Sequence, residues 1–96
     1  MTTVLGRFDK QTAEVLDYYV LFEDWFSNRS DAPSSIAVTA DAGITVAASS
    51  LSGTTAKVVL SGGTNGTRYK ITVRLTTDAT PAIVKEADFY VTIKDV

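Results

Sequence analysis

The clearest pattern in the chain is the strict alternation of apolar and polar residues in its second half. From Tyr69 to Leu75 every second residue is aliphatic or aromatic, and polar residues stand between them. The same alternation returns from Ala87 to Ile93. A period of two residues is typical of a β-strand with one buried face and one solvated face. The predicted inward residues of these two strands are Tyr69, Ile71, Val73, Leu75, Ala87, Phe89, Val91 and Ile93.

Three shorter alternating segments come before these strands, between turn-forming residues. Asp41-Ala42-Gly43 is predicted to close a tight hairpin, and Asn65-Gly66 a type I′ turn. Ser52-Gly53 and residues 78–81 mark the other breaks. The inward positions predicted for the three segments are Ile36, Val38, Ala40, Ile44, Val46, Ala48, Ala56, Val58 and Leu60.

Residues 15–26 fit two periodicities. A helix brings one set of apolar residues to a common face, namely Val15, Tyr18, Tyr19 and Phe22. A strand brings together another set, namely Leu16, Tyr18, Val20 and Phe22. The content of aromatic and β-branched residues favours the strand, as does consistency with the other segments. Strand is therefore the prediction, with helix as the open alternative.

The number and spacing of these segments predict the fold class. About six to seven short strands, with turn residues between them, indicate an all-β protein with an immunoglobulin-like Greek-key β-sandwich. Ninety-six residues correspond to one domain. We assign residues 1–14 to an N-terminal arm and residues 15–96 to the sandwich domain.

The amino-acid composition excludes several common kinds of catalytic site. The chain has no Cys and no His, so thiolate chemistry, disulfides and an imidazole base are excluded. The acidic residues Asp17, Glu23 and Asp24 lack the spacing of a calcium loop. Residues 62–67 are glycine-rich, but a strand is predicted after them, so they are interpreted as a hairpin loop and not a phosphate site. We predict no catalytic residues, no metal site, no cofactor and no enzyme activity.

Charge and hydropathy narrow the class of partner. Nine basic residues and eleven acidic residues give a net charge of −2, and the basic residues are scattered. Nucleic-acid binding requires a clustered basic face, so it is not expected. No apolar run approaches the ~20 residues that span a bilayer. Residues 1–6 lack the apolar core of a signal peptide, so no such peptide and no membrane association are predicted.

Four residues are candidates for an interface. Tyr19, Leu21 and Tyr90 fall on predicted outer strand faces, and they form one exposed apolar patch if the first and last long strands are neighbours. Scattered apolar surface residues are the alternative interpretation. Trp25 either closes one end of the sandwich or anchors a partner.

Two segments carry a resemblance to a known group. The first is residues 13–18 followed by Phe22-Glu23-Asp24-Trp25-Phe26, and the second is residues 60–72 with its Gly-Gly-x-x-Gly-Thr-x-Tyr element. With the final Phe89-Tyr90-Val91-Thr92-Ile93 strand, they resemble small immunoglobulin-like virion proteins of tailed phages, the fibre-tail adaptor or minor structural protein group. The resemblance covers the chain from Asp9 onward. It implies that Tyr69 helps to fix a corner of the sandwich.

The resemblance also implies a function. A tail and fibre adaptor or a neck component of a bacteriophage virion is the leading interpretation, and a capsid decoration protein is the alternative. The implied partners are tail, fibre or capsid subunits, with a homo-oligomer in the particle compatible with either role. The implied location is the virion, assembled in the bacterial cytoplasm. A module that binds carbohydrate or the host surface is a third interpretation, which requires Tyr19, Trp25 and Tyr90 to be coplanar and exposed.

Overall fold

The computed structural model describes residues 3–5, 8–27 and 29–95. Six strands of six to ten residues follow two short strands, and one helical turn lies between the third and fourth strands. The elements are β1 (Thr3–Leu5), β2 (Asp9–Lys10), β3 (Leu16–Leu21), α1 (Glu23–Phe26), β4 (Pro33–Ala40), β5 (Ile44–Ser52), β6 (Thr55–Gly62), β7 (Arg68–Thr77) and β8 (Val84–Ile93).

The strands form two four-stranded sheets, with orders β1-β3-β6-β5 and β2-β8-β7-β4. Every pair is antiparallel except β2 with β8, which is parallel. Relabelled by position, these orders are the ABED and GFC sheets of an immunoglobulin constant-type domain, with β2 added beside the last strand. The predicted all-β immunoglobulin-like sandwich is confirmed.

The ambiguous segment forms a strand, followed by one turn of helix. β3 ends at Leu21, where the Phe22 N–H donates to the Thr54 carbonyl at 2.9 Å and the Phe22 side chain enters the core. The helical turn α1 starts with Glu23 and Asp24, acids that suit the positive end of a helix. The preference for strand over helix is therefore confirmed for residues 16–21.

The segment predicted as an N-terminal arm contributes to both sheets in its described part. β1 pairs with β3, with Thr3 opposite Leu21. β2 pairs with the end of β8, with Lys10 opposite Ile93. A chain that changes sheets between these two short strands connects the layers along one side of the sandwich.

The core lies between the two sheets and matches the alternation in the sequence. All eight residues predicted to face inward on β7 and β8 are buried. The opposing sheet contributes Tyr18, Val20, Phe22, Ile44, Ala56, Val58 and Leu60. Ile36 and Val38 of β4 are half-buried at the sheet edge and pack against this cluster. Among described helices, none has the length and apolar character needed to cross a bilayer.

Two of the connections predicted as hairpin turns have a different geometry. The connections at Asp41-Ala42-Gly43 and at residues 63–67 join strands of different sheets, so neither closes a hairpin. Among the described residues only glycines have positive φ, so Asn65 is not in a type I′ turn. Ala48, predicted to face inward, is exposed because a β-bulge between Val46 and Ala48 reverses the alternation.

Tyr69 fixes the corner where the chain passes from β6 to β7. Its hydroxyl accepts a hydrogen bond from the Thr64 N–H at 2.9 Å, five residues upstream, the tyrosine corner of immunoglobulin-like domains. The corner is tight: a Cβ on Gly63, whose φ is +101°, would lie 2.7 Å from Ile93 Cγ1. Only glycine fits that position, which explains part of the Gly-Gly element in the sequence.

Lys10 connects the two sheets at the same end. Its side chain faces inward beside Ile93, and only 1% of its surface is exposed. The Nζ atom donates to the Gly62 carbonyl at 2.7 Å and to the Gln11 carbonyl at 2.8 Å. Burial lowers the pKa of Lys10, and the charges of Glu14 and Asp95 oppose that effect. The bond to Gly62 joins β2 in one sheet to the end of β6 in the other.

Replacing Tyr69 with Phe tests the corner. The variant leaves the buried ring but removes the acceptor of the Thr64 N–H, so we expect the free energy of unfolding to fall by about 1 kcal/mol. Tyr90→Phe is the matched control, because that side chain is 48% exposed. Its expected change is within ~0.5 kcal/mol. Urea unfolding followed by the fluorescence of Trp25, the single tryptophan, gives both values. Equal losses in the two variants would contradict the role of the corner.

Replacing Lys10 with Ala tests the connection between the sheets. The change removes a buried stem and two hydrogen bonds, so we expect a loss of about 2–4 kcal/mol of unfolding free energy. Lys94→Ala is the control, because Lys94 is exposed just after β8. We expect a change of less than ~0.5 kcal/mol there. A loss in Lys10→Ala no greater than in the control would show that the buried ammonium contributes nothing to stability.

Candidate functional site on the outer faces of the sandwich

The exposed and half-buried side chains of the described residues offer candidate surfaces for binding. No group of three or more His, Cys, Asp or Glu in this part of the chain is arranged to hold a metal ion. Lys10 is the buried amine, and its Nζ is hydrogen-bonded to two backbone carbonyls. The candidate site is therefore built from exposed and half-exposed side chains on the sheets and at one end of the sandwich.

Tyr19 and Leu21 lie on the outer face of the β1-β3-β6-β5 sheet. They alternate with the core residues of β3, and both are half-buried. Tyr19 faces Lys57 on β6, and its hydroxyl donates to Asp17 Oδ2 at 2.8 Å. That hydrogen bond raises the pKa of Tyr19. The hydroxyl is thereby held along the strand, and the ring offers apolar surface on this face.

Tyr90 lies on the outer face of the other sheet, in the middle of β8. The Arg68 guanidinium lies 4.7 Å from the centre of its ring, a cation–π contact between neighbouring strands. The same face holds two ion pairs between β7 and β8, Lys70–Asp88 and Arg74–Glu86, each at 3.6 Å. The two ion pairs compensate Lys70 and Arg74, whereas Arg68 lies against Tyr90, which remains 48% exposed.

The single patch predicted from Tyr19, Leu21 and Tyr90 does not form. Its condition was that the first and last long strands are neighbours, but β3 pairs with β1 and β6, whereas β8 pairs with β7 and β2. The Greek-key order sends the two strands to different sheets, and their outer faces point in opposite directions. The sandwich therefore presents two separate aromatic surfaces.

Trp25 lies at one end of the sandwich, on α1. Its ring packs edge-to-face on Phe26, with 4.8 Å between centroids, and both residues contact the core cluster. The Arg29 guanidinium stands 4.6 Å from the ring centre, and Lys85 Nζ stands 5.9 Å from it. Arg29 is held by Asp31 at 2.8 Å, an ion pair that lowers the pKa of that carboxyl. This packing supports the interpretation of Trp25 as the residue that closes the end.

The geometry required for a sugar platform is absent from the three residues proposed for it. Tyr19 and Tyr90 lie on opposite faces, so they share no plane with Trp25. Arg29 also covers the Trp25 ring. Stacking of one sugar on these three rings together is therefore excluded by their positions.

Among the described residues, four exposed large apolar side chains were not found from the sequence: Phe8, Val15, Ile83 and Val84. Phe8 is 44% exposed, yet its ring stands 6.4 Å from those of Tyr18 and Phe89 along the open side of the sandwich. It fell within the predicted arm, so no strand pattern marked it. Val84, 45% exposed, shares the outer face with Tyr90. Extending the alternation of β8 backward by three residues from Ala87 would have found it.

The comparison with known families gives these surfaces a context. A sequence model of the family described as Podophage GP4 fiber-tail adaptor protein gp77 matches residues 10–92. The match runs from β2 to β8 and includes Tyr19, Leu21, Trp25 and Tyr90. A search of curated proteins finds no match. The description is that of a structural adaptor, which is not a class of enzyme. The chain therefore belongs to the podophage GP4 fiber-tail adaptor (gp77) family and is a structural protein of a phage virion.

Proposed function

We propose that this chain joins a fibre to the tail of the virion by binding one partner on each outer face of the sandwich. The family supports a role in that part of the particle. The observation that carries the two-sided arrangement is the separation of Tyr19 and Tyr90 on opposite sheets. A connector needs two surfaces that can be occupied together, and these two faces point apart.

The first proposed surface is built around Tyr19 and Leu21. Both side chains are already half-buried against neighbours on their own sheet, so binding costs little side-chain entropy. The hydrogen bond to Asp17 further restrains the Tyr19 ring. A restrained aromatic residue beside an aliphatic one is the composition typical of an interface centre.

The second proposed surface is built around Tyr90. Its neighbours are the two ion pairs of β7 and β8 and the Arg68 guanidinium, which lies 4.7 Å from the centre of the ring and belongs to neither pair. Val84 lies on the same face, but Glu86 and Asp88 stand between it and Tyr90, so Tyr90 is the apolar centre of this surface. A partner can therefore pack on Tyr90 and the Arg68 guanidinium together while the rim of ion pairs stays solvated, since tyrosine and arginine are both enriched in interfaces.

Trp25 and Lys85 have a supporting role in this proposal. Their contacts close the end of the sandwich and connect α1 to the start of β8. The end loops are thereby kept in place between the two binding faces. Trp25 thus acts on the adaptor's stability, while Tyr19, Leu21 and Tyr90 contact the partners.

Separate substitutions on the two faces test the proposal in virions. Tyr19→Thr and Tyr90→Thr each remove an aromatic ring but keep a residue that favours strands. We expect one variant to be lost from virions together with the fibre, and the other to remain on virions that lack the fibre. Each loss should be roughly tenfold or more, as for an interface anchor. Quantitative mass spectrometry of purified virions measures the chain and the fibre in the same sample.

Lys94→Ala serves as the control for that experiment, since it changes an exposed residue beyond the end of β8. It should leave the chain and the fibre at wild-type amounts. Thermal unfolding of each purified variant verifies that the chain is folded. Wild-type amounts of both proteins in both threonine variants would contradict a two-sided connector built on these faces.

A further inference from the structure

β4 is a long and uncharged edge of the sandwich that begins with a proline and an irregularity between Pro33 and Ser35 and is regular after them. It ends the β2-β8-β7-β4 sheet, and its eight residues carry no charge. Proteins protect such edges with charged residues, prolines, bulges or short strands. β1 and β2 have three and two residues, and β5 is interrupted by a bulge. From Ser35 to Ala40, β4 has a continuous register with β7 and none of these features.

The hydrogen bonds at its two ends determine which backbone groups of β4 face outward. The Asp41 N–H donates to the Lys70 carbonyl at 3.1 Å, and the Asp78 N–H donates to the Ala32 carbonyl at 2.9 Å. Hydrogen-bonded and non-hydrogen-bonded pairs alternate along an antiparallel ladder. Both ends give the same result: the alternate residues direct their N–H and C=O groups to the open edge, and these are Ile36, Val38 and Ala40.

We propose that β4 pairs with β4 of a second copy of this chain, antiparallel about a two-fold axis at Val38. In this register Val38 stands opposite its own image, and Ile36 stands opposite Ala40 of the copy. Each of these three pairs exchanges two backbone hydrogen bonds, so the contact contains about six. The two sheets then form one continuous sheet with an uninterrupted inner face.

The size and charge of the edge residues favour a copy over another partner. A larger residue meets a smaller one at both ends of the register, because Ile36 pairs with Ala40 twice. Pairing about a two-fold axis brings identical regions together, so a charged edge would repel itself. Here Asp41, the nearest charged residue along the chain, stands opposite Ser35 of the copy. Arg74, opposite Ala37 on β7, is one strand farther from the axis.

The expected association is weak in dilute solution. One strand edge buries less surface than the ~1,600 Å² of a standard interface. The contact should therefore form at high protein concentration or where the virion holds several copies together. It is independent of the proposed binding faces, because the outer surfaces of Tyr19 and Tyr90 remain uncovered.

Disulfide trapping tests the register. Because the chain has no cysteine of its own, any disulfide between copies must involve the introduced residues. Ala37 and Thr39 face outward and are exposed, and the two-fold register places Ala37 beside Thr39 of the copy. Ala37→Cys and Thr39→Cys should give an oxidised dimer when mixed. Each variant alone should give none, because its own cysteines lie more than 7 Å apart across the axis. Ser50→Cys on β5 mixed with either variant is the matched control.

The mixture is oxidised both as concentrated purified protein and in virions from cells producing the two variants together. A dimer specific to the mixture in either sample supports the proposal. The absence of this dimer from both samples overturns the proposal. A disulfide between residue 39 and a different virion protein also overturns it, because the strand beside β4 would then belong to another protein. This readout measures only contact between copies of the chain. Neither outcome therefore supports or contradicts the proposed role as a connector.

An added charge gives a second measurement without cysteines. Ala37→Lys places a charge at the edge, so sedimentation at millimolar concentration should show loss of the dimer. Ser50→Lys on β5 should leave the dimer unchanged. A wild-type dimer that persists to the same extent in Ala37→Lys would overturn the pairing at β4.

Discussion

Apolar packing between the two sheets is the interaction on which the rest of the structure depends. Immunoglobulin domains of antibodies link their sheets by a disulfide, but this chain has no cysteine. Ile71, two residues after the corner tyrosine, stands where the second cysteine of that disulfide would be. Tyr18 and Phe89, whose ring centroids are 5.3 Å apart, bring the two layers into contact nearby. The distance between the sheets is therefore set by the sizes of buried side chains.

The polar contacts fix the position of the ends relative to this core. At one end the Tyr69 hydroxyl holds the loop before β7, and the Lys10 ammonium connects β2 to the end of β6. At the other end Trp25 and Phe26 cover the core, and cations surround the indole. The outer faces between these ends lie apart from those contacts, and they are the surfaces proposed for the partners. This division of roles suits a small part of a large assembly.

The sequence predicts which face each strand buries better than it predicts which strands are neighbours. The alternation identified every core residue of β7 and β8, because a period of two is a local property. Sheet order depends on contacts between distant residues, and no local pattern showed that β3 and β8 belong to different sheets. The single aromatic patch was therefore wrong, although the orientation of its members was right. The bulge at Ala48 and the buried Lys10 also depend on neighbouring strands and were missed for the same reason.

Cryo-electron microscopy of virions with and without this chain can distinguish a connector between fibre and tail from a protein placed elsewhere in the particle. For a connector that binds with its two opposite faces, we expect density for the sandwich between tail and fibre, contacted on both sheets. When the chain is missing, we expect tails without fibres but with unchanged heads. Fibres attached as usual in its absence, or sandwich density on the capsid surface, would rule out this role.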